Sequence, residues 1–350
     1  MHELLVEARE LYWKFVEQLD VGIVGLQDVK RKIAMLPLGS VLTTYSDDKE
    51  QRVNAGTAWL SGVPGVGKTY FGLILAKATD TKFGRIQGRA DLTPADIVGC
   101  EVWNPKIGDF EKRPGVIVNV GVVLLDEINR IPPKAQSAFL EPLNDKTVTI
   151  ADTTYHLPAY YFALATSNPV EGTEGTFPLS EANADRFTFF IKVGYVTPED
   201  EQKLVQFDIK GVDIKAIISP ERVVTLRSAV SDHVRLHPLL DEYVTKLVLN
   251  CRPRETRKSK ENQNPSLSVS PLVEEFVELG ASPRATMCLG RMAKVRALVI
   301  DGRDYVCPED VQDLAENVLL HRIGLKPSAK SMGITVEQVV QDVIDRVPIP

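Results

Sequence analysis

A glycine-rich stretch at residues 61–70, SGVPGVGKTY, has the residue types and spacing of a loop that binds phosphate. It fits the pattern G-x-x-x-x-G-K-[ST] between Gly62 and Thr69, after an apolar run and before a run with helical periodicity. Glycines let successive backbone N–H groups turn toward phosphate oxygens, and the N-terminus of the following helix adds a favourable dipole. The stretch therefore predicts a phosphate-binding loop (P-loop).

Lys68 and Thr69 carry the most specific chemistry in this loop. Lys68 would reach the β- and γ-phosphates of a nucleoside triphosphate, and the Thr69 hydroxyl would ligate Mg²⁺. The alternative is a glycine turn with a purely structural role. The residues predicted to contact the nucleotide here are Gly62, Val63, Pro64, Gly65, Val66, Gly67, Lys68, Thr69 and Tyr70.

Two acidic residues follow a second apolar run, GVVLLDEIN, and would complete the metal site. If this run is a parallel strand, Asp126 and Glu127 lie at the carboxyl edge of the sheet, where α/β proteins bind their ligands. Asp126 should hold Mg²⁺ through water, and Glu127 should orient and polarise the attacking water. Acidic residues also end strands without a catalytic role, which is the alternative for this pair.

A third apolar run, ALATSNP, ends with Asn168 at the same predicted edge. Its side-chain amide could donate to the γ-phosphate or hold the water. A turn-forming asparagine before Pro169 explains the residue equally well.

These residues need a parallel sheet to bring them together, and the sequence predicts one. From Asn54 to about Ile191, short apolar runs alternate with helical patterns, which is typical of an α/β domain with right-handed crossovers. From Thr197 onward, helix starts such as TPEDE, SPERV, SPRAT and CPEDV combine an N-cap residue with proline at the first helical position. We therefore predict an α/β core with an N-terminal helical segment over 1–196 and a helical domain over 197–350.

Two segments of the predicted core are hairpin candidates. EVWNPKIGDFEKRPG contains a turn with Asn104-Pro105 and Gly108, and KTVTIADTTYHLP is the second candidate. Ordinary surface hairpins are the alternative to a functional role. In the helical half, the polar segment near 251–268 is predicted to be a flexible basic loop, solvated or in contact with an acidic partner. Its basic residues are Arg252, Arg254, Arg257, Lys258 and Lys260.

The composition limits the classes of function. With 350 residues, 44% hydrophobic and 25% charged, the chain can bury a large core. Its net charge of -6 argues against a broadly basic surface for nucleic acid. The apolar runs are far shorter than a membrane helix, and the acidic, amphipathic start is unlike a signal peptide. We therefore expect a cytoplasmic protein without a membrane segment.

The motifs GVPGVGKT, LLDEINR, ATSNP, SEANADRF and GASPRA, in this order and with hairpins between them, resemble those of the MoxR family of AAA+ ATPases. The resemblance extends from GIVGLQDVK to the final RVPIP. It implies an α/β fold, with an AAA+ P-loop core, a parallel sheet and hairpin insertions, followed by a helical lid domain. It also implies ATP or ADP with Mg²⁺ as ligands, and hexameric rings with ATP between subunits and the hairpins at the pore or face.

The resemblance also implies roles for residues outside the P-loop. Asn168 would be sensor 1, Arg284 would be sensor 2, and Arg186 would be the arginine finger that reaches into the site of a neighbouring subunit. The residues that would border the adenine are Ile23, Val24 and Gly25.

Two of these roles can be weighed on physical grounds. Arg284 follows Ser282-Pro283 in the first turn of a predicted helix, where the dipole disfavours a cation, so a negative group such as a γ-phosphate should compensate it. Arg186 stands beside Asp185, and an ion pair with that or another carboxylate of its own chain is the alternative to a finger. Ala184 stands where the family more usually has Leu, which weakens the packing analogy.

The resemblance implies an ATP-hydrolysing homo-oligomer, a hexameric ring that remodels or matures a protein client. MoxR-type ATPases commonly act with a von Willebrand factor A partner, whose Asp-x-Ser-x-Ser motif is not found in this sequence, so that partner would be a separate protein. A nucleic-acid motor is an alternative that the acidic balance and the hairpin tips without clustered Lys or Arg disfavour. A nucleotide-gated scaffold with little turnover is another, which Glu127 and Arg186 disfavour.

Overall fold

The structure, a computed structural model, describes residues 2–45, 51–168, 175–208, 211–254 and 270–350. Up to residue 193, helices and strands alternate along the chain, as the apolar runs predict. The strands of this part are β1 (Ser40–Tyr45), β2 (Gln51–Ala55), β3 (Ala58–Gly62), β4 (Phe83–Gln87), β5 (Gly99–Asn104), β6 (Asp109–Pro114), β7 (Val122–Asp126), β8 (Thr147–Ile150), β9 (Thr153–His156), β10 (Phe162–Ser167) and β11 (Phe189–Val193). Its α-helices are α1 (His2–Gly22), α2 (Gln27–Met35), α3 (Lys68–Ala78), α4 (Pro94–Val98), α5 (Pro133–Gln136), α6 (Leu140–Asn144) and α7 (Glu181–Ala184).

Five strands form one parallel sheet in the order β11-β3-β10-β7-β4. The adjacent strands β7 and β10 are buried along their whole length, which explains their uninterrupted apolar sequences. Alternate side chains belong to two cores, so Leu124 and Leu164 pack on one face while Val123 and Ala163 pack on the other. The predicted parallel sheet is confirmed, and it brings the carboxyl ends of β3, β7 and β10 to one edge.

After residue 197 the described chain is mostly helical, as predicted. The helices of this lid are α8 (Pro198–Leu204), α9 (Pro220–His233), α10 (Pro238–Asn250), α11 (Pro271–Phe276), α12 (Pro283–Val299), α13 (Pro308–Leu319), α14 (Pro327–Ser331) and α15 (Val336–Arg346). Thr197, Ser219 and Ser282 are N-caps that accept from backbone N–H groups, and Cys307 opens α13 in a capping box. A short antiparallel pair, β12 (Val277–Leu279) with β13 (Gly324–Leu325), was not predicted because strands this short carry no periodicity.

Both predicted hairpins are present as antiparallel pairs, β5 with β6 and β8 with β9. In the turn of the first, Lys106 N donates to Asn104 Oδ1 at 3.0 Å and Gly108 has a φ of 64°, so the predicted turn residues form it. Trp103 and Phe110 face each other across this pair, with ring centroids 5.3 Å apart and edge to face.

One side chain ties the two hairpins together. Lys112 of β6 contacts Asp152 in the turn of the second hairpin and donates to Thr153 Oγ1 at 2.5 Å. The hairpins differ in what they present, because Trp103 is 53% exposed whereas Tyr155 of β9 packs against the core. The first hairpin is therefore the one with an exposed aromatic surface.

A further antiparallel pair, β1 with β2, precedes the sheet and was not predicted from the sequence. It contacts α9 of the lid, and β1 also contacts α12. Helix α1 bridges in the same way, because its buried face packs against α3 of the core and against α9 and α12. The division at residues 196 and 197 stays a prediction, since elements before it pack on both parts.

The predicted flexible loop near 251–268 lies mostly outside the described residues. Arg257, Lys258 and Lys260 belong to the part that is not described, so the flexibility of this loop stays a prediction. At its start, Arg252 Nε donates to Ala281 O at 2.6 Å. Among the described residues, no helix is both long enough and apolar enough to cross a membrane.

Candidate active site

The loop after β3 has the backbone geometry of a phosphate cradle. Gly65 and Gly67 have φ angles of 85° and 78°, a backbone conformation that residues other than glycine rarely adopt. No described atom lies within 4 Å of a Cβ built at either position, so conformation rather than space favours glycine. Gly67 is the N-cap of α3, so the N–H groups that begin the helix lie at this loop.

Lys68, the first residue of α3, is buried with its ammonium group among oxygen atoms. Its Nζ donates to Asn168 Oδ1 at 2.8 Å, so the P-loop and the end of β10 meet as the sheet order predicts. The other acceptors of Nζ are the main-chain oxygens of Gly62, Val63 and Ser167. Burial lowers the pKa of Lys68, while Asp126 and Glu127 oppose that shift.

Asp126 ends β7 and is held by donors on both carboxylate oxygens. Thr166 Oγ1 donates to Oδ1 at 2.5 Å, and the Thr69 hydroxyl lies 3.4 Å from Oδ2. Arg85 of β4 also donates to Oδ2, with Nη2 at 2.6 Å and Nε at 3.0 Å. Oδ1 is thus fixed by Thr166 of the adjacent strand β10, and Oδ2 lies toward Thr69 of the P-loop.

Glu127 adopts a left-handed backbone conformation with a φ of 54°, which costs a non-glycine residue about 1–3 kcal/mol. Its N–H donates to Thr166 Oγ1 at 2.9 Å. Its Oε2 accepts from Gln87 Nε2 at 3.2 Å, and Arg130 Nε lies 3.3 Å from the same oxygen. The strained backbone and the two donors hold this carboxylate at the carboxyl edge of the sheet.

These groups fit a magnesium nucleotide. Thr69 Oγ1 and Asp126 Oδ2 are oxygen ligands, the type that Mg²⁺ prefers. They lie 3.4 Å apart, next to each other at the loop. The ammonium of Lys68 and the N-terminus of α3 supply the positive potential that phosphates need.

A cavity of about 390 Å³ adjoins the P-loop and has the size of a small-molecule site. From the predicted set it is lined by Ile23, Val24, Pro64, Gly65, Val66, Gly67 and Tyr70. The lid contributes further lining residues, together with the segment that leads into it: Tyr195, Val196, Glu201, Leu204 and Phe207. A larger cleft of about 980 Å³ between α1 and the lid has no glycine loop or carboxylate pair of this kind.

The segment predicted to border the adenine is fixed from behind. Lys30 Nζ donates to Ile23 O at 2.6 Å and to Asp20 Oδ1 at 2.7 Å. Gly25 does not line the cavity, and a Cβ there would lie 2.7 Å from Asp200 Oδ2 at the start of the lid. Ile23 and Val24 therefore lie at the cavity, whereas Gly25 packs against α8.

Asp185 is bonded to the lid rather than to its sequence neighbour. Arg284 Nη1 lies 3.1 Å from its Oδ2, Ser282 Oγ donates to its Oδ1 at 2.6 Å, and Arg322 Nε donates to its Oδ1 at 3.0 Å. The cation in the first turn of α12 is thus compensated by Asp185, where the sequence suggested a γ-phosphate. The alternative ion pair between Asp185 and Arg186 is not formed.

Arg186 has no ion pair with a carboxylate among the described residues. Its guanidinium contacts Ala182 O, and its Nε has no hydrogen-bond partner in the part of the chain that the structure describes. Burial and the neighbouring Arg284 lower its pKa, while Asp185 and Asp145 oppose this shift. Arg186 and Arg284 are therefore adjacent cations, and of these two only Arg284 pairs with Asp185.

These two arginines and the P-loop lie at opposite edges of the sheet. Thr57 Oγ1 donates to Arg186 O at 3.3 Å, which puts Arg186 beside the start of β3. The P-loop begins at Gly62, the other end of that strand, about 16 Å away at 3.3 Å per residue. The structure thus brings Lys68, Thr69, Asp126, Glu127 and Asn168 together and keeps Arg186 apart, with Arg284 bonded beside it.

Sequence reasoning missed several polar neighbours of this site. Gln87 could have been found, because it ends the strand GRIQ at the same edge as Asp126, and Arg85 precedes it by two residues on the same face. Thr166 precedes Asn168 by two residues in the same way. The bond of Asp185 to Arg322 joins residues 137 positions apart and leaves no local signal.

Comparison with known proteins agrees with this architecture. Residues 58–189 match the model of the ATPase family associated with various cellular activities (AAA), and residues 270–343 match that of the AAA lid domain. A crystal structure of a protein from Cytophaga hutchinsonii ATCC 33406, described as a predicted ATPase, superposes with a TM-score of 0.81 at 32% identity, covering 99% of this chain and 97% of that one.

Two curated relatives extend the match. The uncharacterized protein YeaC of Bacillus subtilis (strain 168) is 37% identical over 347 residues, 98% of this chain and 96% of its own. The chaperone MoxR1 of Mycobacterium tuberculosis (strain ATCC 25618 / H37Rv) is 36% identical over 300 residues, 85% of this chain and 75% of its own. The parallel sheet, the P-loop, the lid and these matches together show that the chain belongs to the MoxR family of AAA ATPases.

Proposed function

We propose that the protein is an ATP-driven remodelling ATPase that works as a ring, with each catalytic site shared between two subunits. The observation that carries this proposal is the separation of Arg186 from the P-loop of its own chain, about 16 Å along β3. An arginine side chain cannot span that distance, yet Arg186 is a partly buried cation without a carboxylate partner among the described residues. A phosphate of ATP bound to a neighbouring subunit would supply the missing negative charge.

Within one subunit, the proposed chemistry uses the carboxyl edge of the sheet. Lys68 would move from its present acceptors to the β- and γ-phosphates, and its neighbour Asn168 would bind the γ-phosphate or the attacking water. Thr69 and Asp126 would hold Mg²⁺, which neutralises charge on the phosphate oxygens. Glu127 would accept the proton of the attacking water, in a position fixed by Gln87 and by its own backbone.

Between subunits, Arg186 and Arg284 would act together. Asp185 pairs with Arg284 at 3.1 Å and leaves Arg186 uncompensated. The two arginines therefore give a net positive charge at the edge of the sheet opposite the P-loop. Charge-assisted bonds from such a pair to a γ-phosphate stabilise the transition state, as arginine fingers do. Sensor 2 would then serve the neighbouring site rather than its own, and a homo-oligomer, which we propose is a hexamer, would be required for activity.

The client surface in this proposal is the first hairpin. Trp103, Ile107 and Phe110 are 53%, 63% and 57% exposed, which is unusual for large apolar side chains on one short element. A relative that is 36% identical is named a chaperone, and an exposed aromatic surface suits a protein client. We propose a separate von Willebrand factor A protein as the working partner, on the family resemblance alone.

The experiment that tests this function measures ATP hydrolysis with and without Mg²⁺ and with and without DNA, alongside the mass of the native assembly. We expect Mg²⁺-dependent turnover in an oligomer and no stimulation by DNA. The Glu127→Gln protein, loaded with ATP, should retain a client or partner protein that mass spectrometry can identify. Strong stimulation by DNA would favour a nucleic-acid motor, and nucleotide binding without turnover would favour a scaffold.

A further inference from the structure

Arg85 contacts Asp126 at the oxygen that the proposed metal would need. Oδ1 of Asp126 is bonded to Thr166, whereas Oδ2 accepts from Arg85 Nη2 at 2.6 Å and lies 3.4 Å from the Thr69 hydroxyl. A guanidinium and a hydrated Mg²⁺ would therefore compete for the same carboxylate oxygen. Both are cations, so only one is expected on that oxygen at a time.

The Arg85 side chain is free to leave this oxygen for solvent. It is 48% exposed, whereas Asp126 is 9% exposed and fixed in the sheet. Arg85 also contacts Gln87 Oε1, and the amide nitrogen of Gln87 donates to Glu127 Oε2 at 3.2 Å. The position of Arg85 is thus linked through one side chain to the carboxylate of Glu127.

We propose that Arg85 is a positioning residue that exchanges with Mg²⁺ at Asp126. Without metal nucleotide, Arg85 neutralises Asp126 and holds the Gln87 amide oxygen. When metal nucleotide binds, Arg85 moves toward solvent, and the Gln87 side chain keeps its hydrogen bond to Glu127. This inference rests on the proposed function, because it requires a magnesium nucleotide at the P-loop.

The test measures binding of ADP by calorimetry, first in EDTA and then at increasing Mg²⁺ concentrations. Arg85→Ala removes the competing cation. The Mg²⁺ concentration at which the effect on ADP affinity is half-maximal should therefore fall about threefold to tenfold, as expected for a partly exposed charge-assisted pair. In EDTA the same variant should bind ADP more weakly, because Asp126 then repels the phosphates. Arg85→Lys keeps the charge and should resemble the parent more closely.

Arg89→Ala is the matched control, because Arg89 follows β4 by two residues and pairs with Asp91 at 3.0 Å. It should leave the Mg²⁺ titration unchanged. An Arg85→Ala protein that needs the same or more Mg²⁺ than the parent would overturn the exchange while leaving the proposed function intact. A parent protein that fails to bind ADP at any Mg²⁺ concentration would overturn both.

Discussion

Arg284 of the lid and Asp185 of the core form an ion pair, with Nη1 3.1 Å from Oδ2. This pair gives the first turn of α12 its negative partner and takes that partner away from Arg186, the next residue of the core. Both cations then lie at the amino edge of the sheet, across β3 from the P-loop. Because these distances separate the proposed catalytic groups within one chain, the proposed site requires a second chain.

Replacing Lys68 by Ala should weaken nucleotide binding at least tenfold. Lys68 is 8% exposed and its Nζ lies 2.8 Å from Asn168 Oδ1, so the ammonium can exchange protein oxygens for phosphate oxygens. A charge-assisted contact of this kind contributes about 1.5–3 kcal/mol. Calorimetry with ADP provides the measurement, and Lys77→Ala, an exposed lysine at the end of the same helix, is the control. An unchanged affinity in Lys68→Ala would contradict the P-loop assignment.

Glu127→Gln should bind ATP normally and lose turnover by a factor of about 10² or more. The substitution keeps the shape of the side chain and an oxygen for the Gln87 amide, but removes the group that accepts a proton. Single-turnover hydrolysis measures this, with Glu316→Gln on the exposed face of α13 as the control. Hydrolysis at the parental rate would show that another group activates the water.

The first hairpin should be needed for client action and not for basal hydrolysis. Trp103→Ala combined with Phe110→Ala removes the aromatic pair while leaving the β5–β6 pairing and the Lys112 contact with Asp152 in place. We expect basal ATPase activity within about twofold of the parent and loss of client capture. Trp13→Ala, a partly exposed tryptophan on α1, is the control. Loss of basal activity in a folded double variant would instead assign the hairpin to ring assembly.

Lys146 should make stability depend on pH. Its side chain is 3% exposed, its Nζ lies 4.6 Å from the Tyr161 ring centroid, and no hydrogen-bond partner occurs among the described residues. Burial, with Arg227 as a further cause, lowers its pKa from 10.5 to about 7. Between these values the unfolded chain binds more protons than the folded one, so stability rises with pH by up to about 1.4 kcal/mol per unit.

Lys146→Met should remove this dependence and raise the free energy of unfolding below pH 7, where the buried charge costs most. Urea denaturation of the parent and the variant from pH 6 to pH 10 measures the difference, with Lys134→Met as an exposed control. Parallel pH profiles for the parent and the Lys146 variant would mean that the lysine is paired or hydrated in solution.

The sequence predicts the sheet and the P-loop side of the site well because local patterns determine both. Apolar runs without polar interruptions identify β7 and β10, and the residue that ends each run, Asp126 or Asn168, follows from the common edge of parallel strands. The glycine spacing of the P-loop and the prolines at the first position of the lid helices are also local patterns.

The remaining contacts depend on tertiary packing, and the sequence does not predict them. The partner of Arg284 is Asp185, 99 positions away, and a single-residue pattern cannot distinguish this pair from the expected phosphate. Side chains alternate between the two faces of a strand, so the sequence alone leaves the side of Tyr155 open. In the structure Tyr155 packs against the core. The same holds for β1 and β2, which pair with each other beside the lid rather than joining the sheet.

The most direct test of the shared site is a mixture of two inactive proteins, Arg186→Ala and Lys68→Ala. After subunit exchange at equal amounts, about a quarter of the interfaces would pair an intact P-loop with an intact Arg186 from the neighbour. A finger contributes about 10³–10⁵ in rate, so the mixture should hydrolyse ATP well above either parent. A mixture of Arg186→Ala with the doubly substituted Lys68→Ala, Arg186→Ala protein should stay inactive. If mass spectrometry shows mixed oligomers of the first pair and hydrolysis does not recover, Arg186 does not act between subunits.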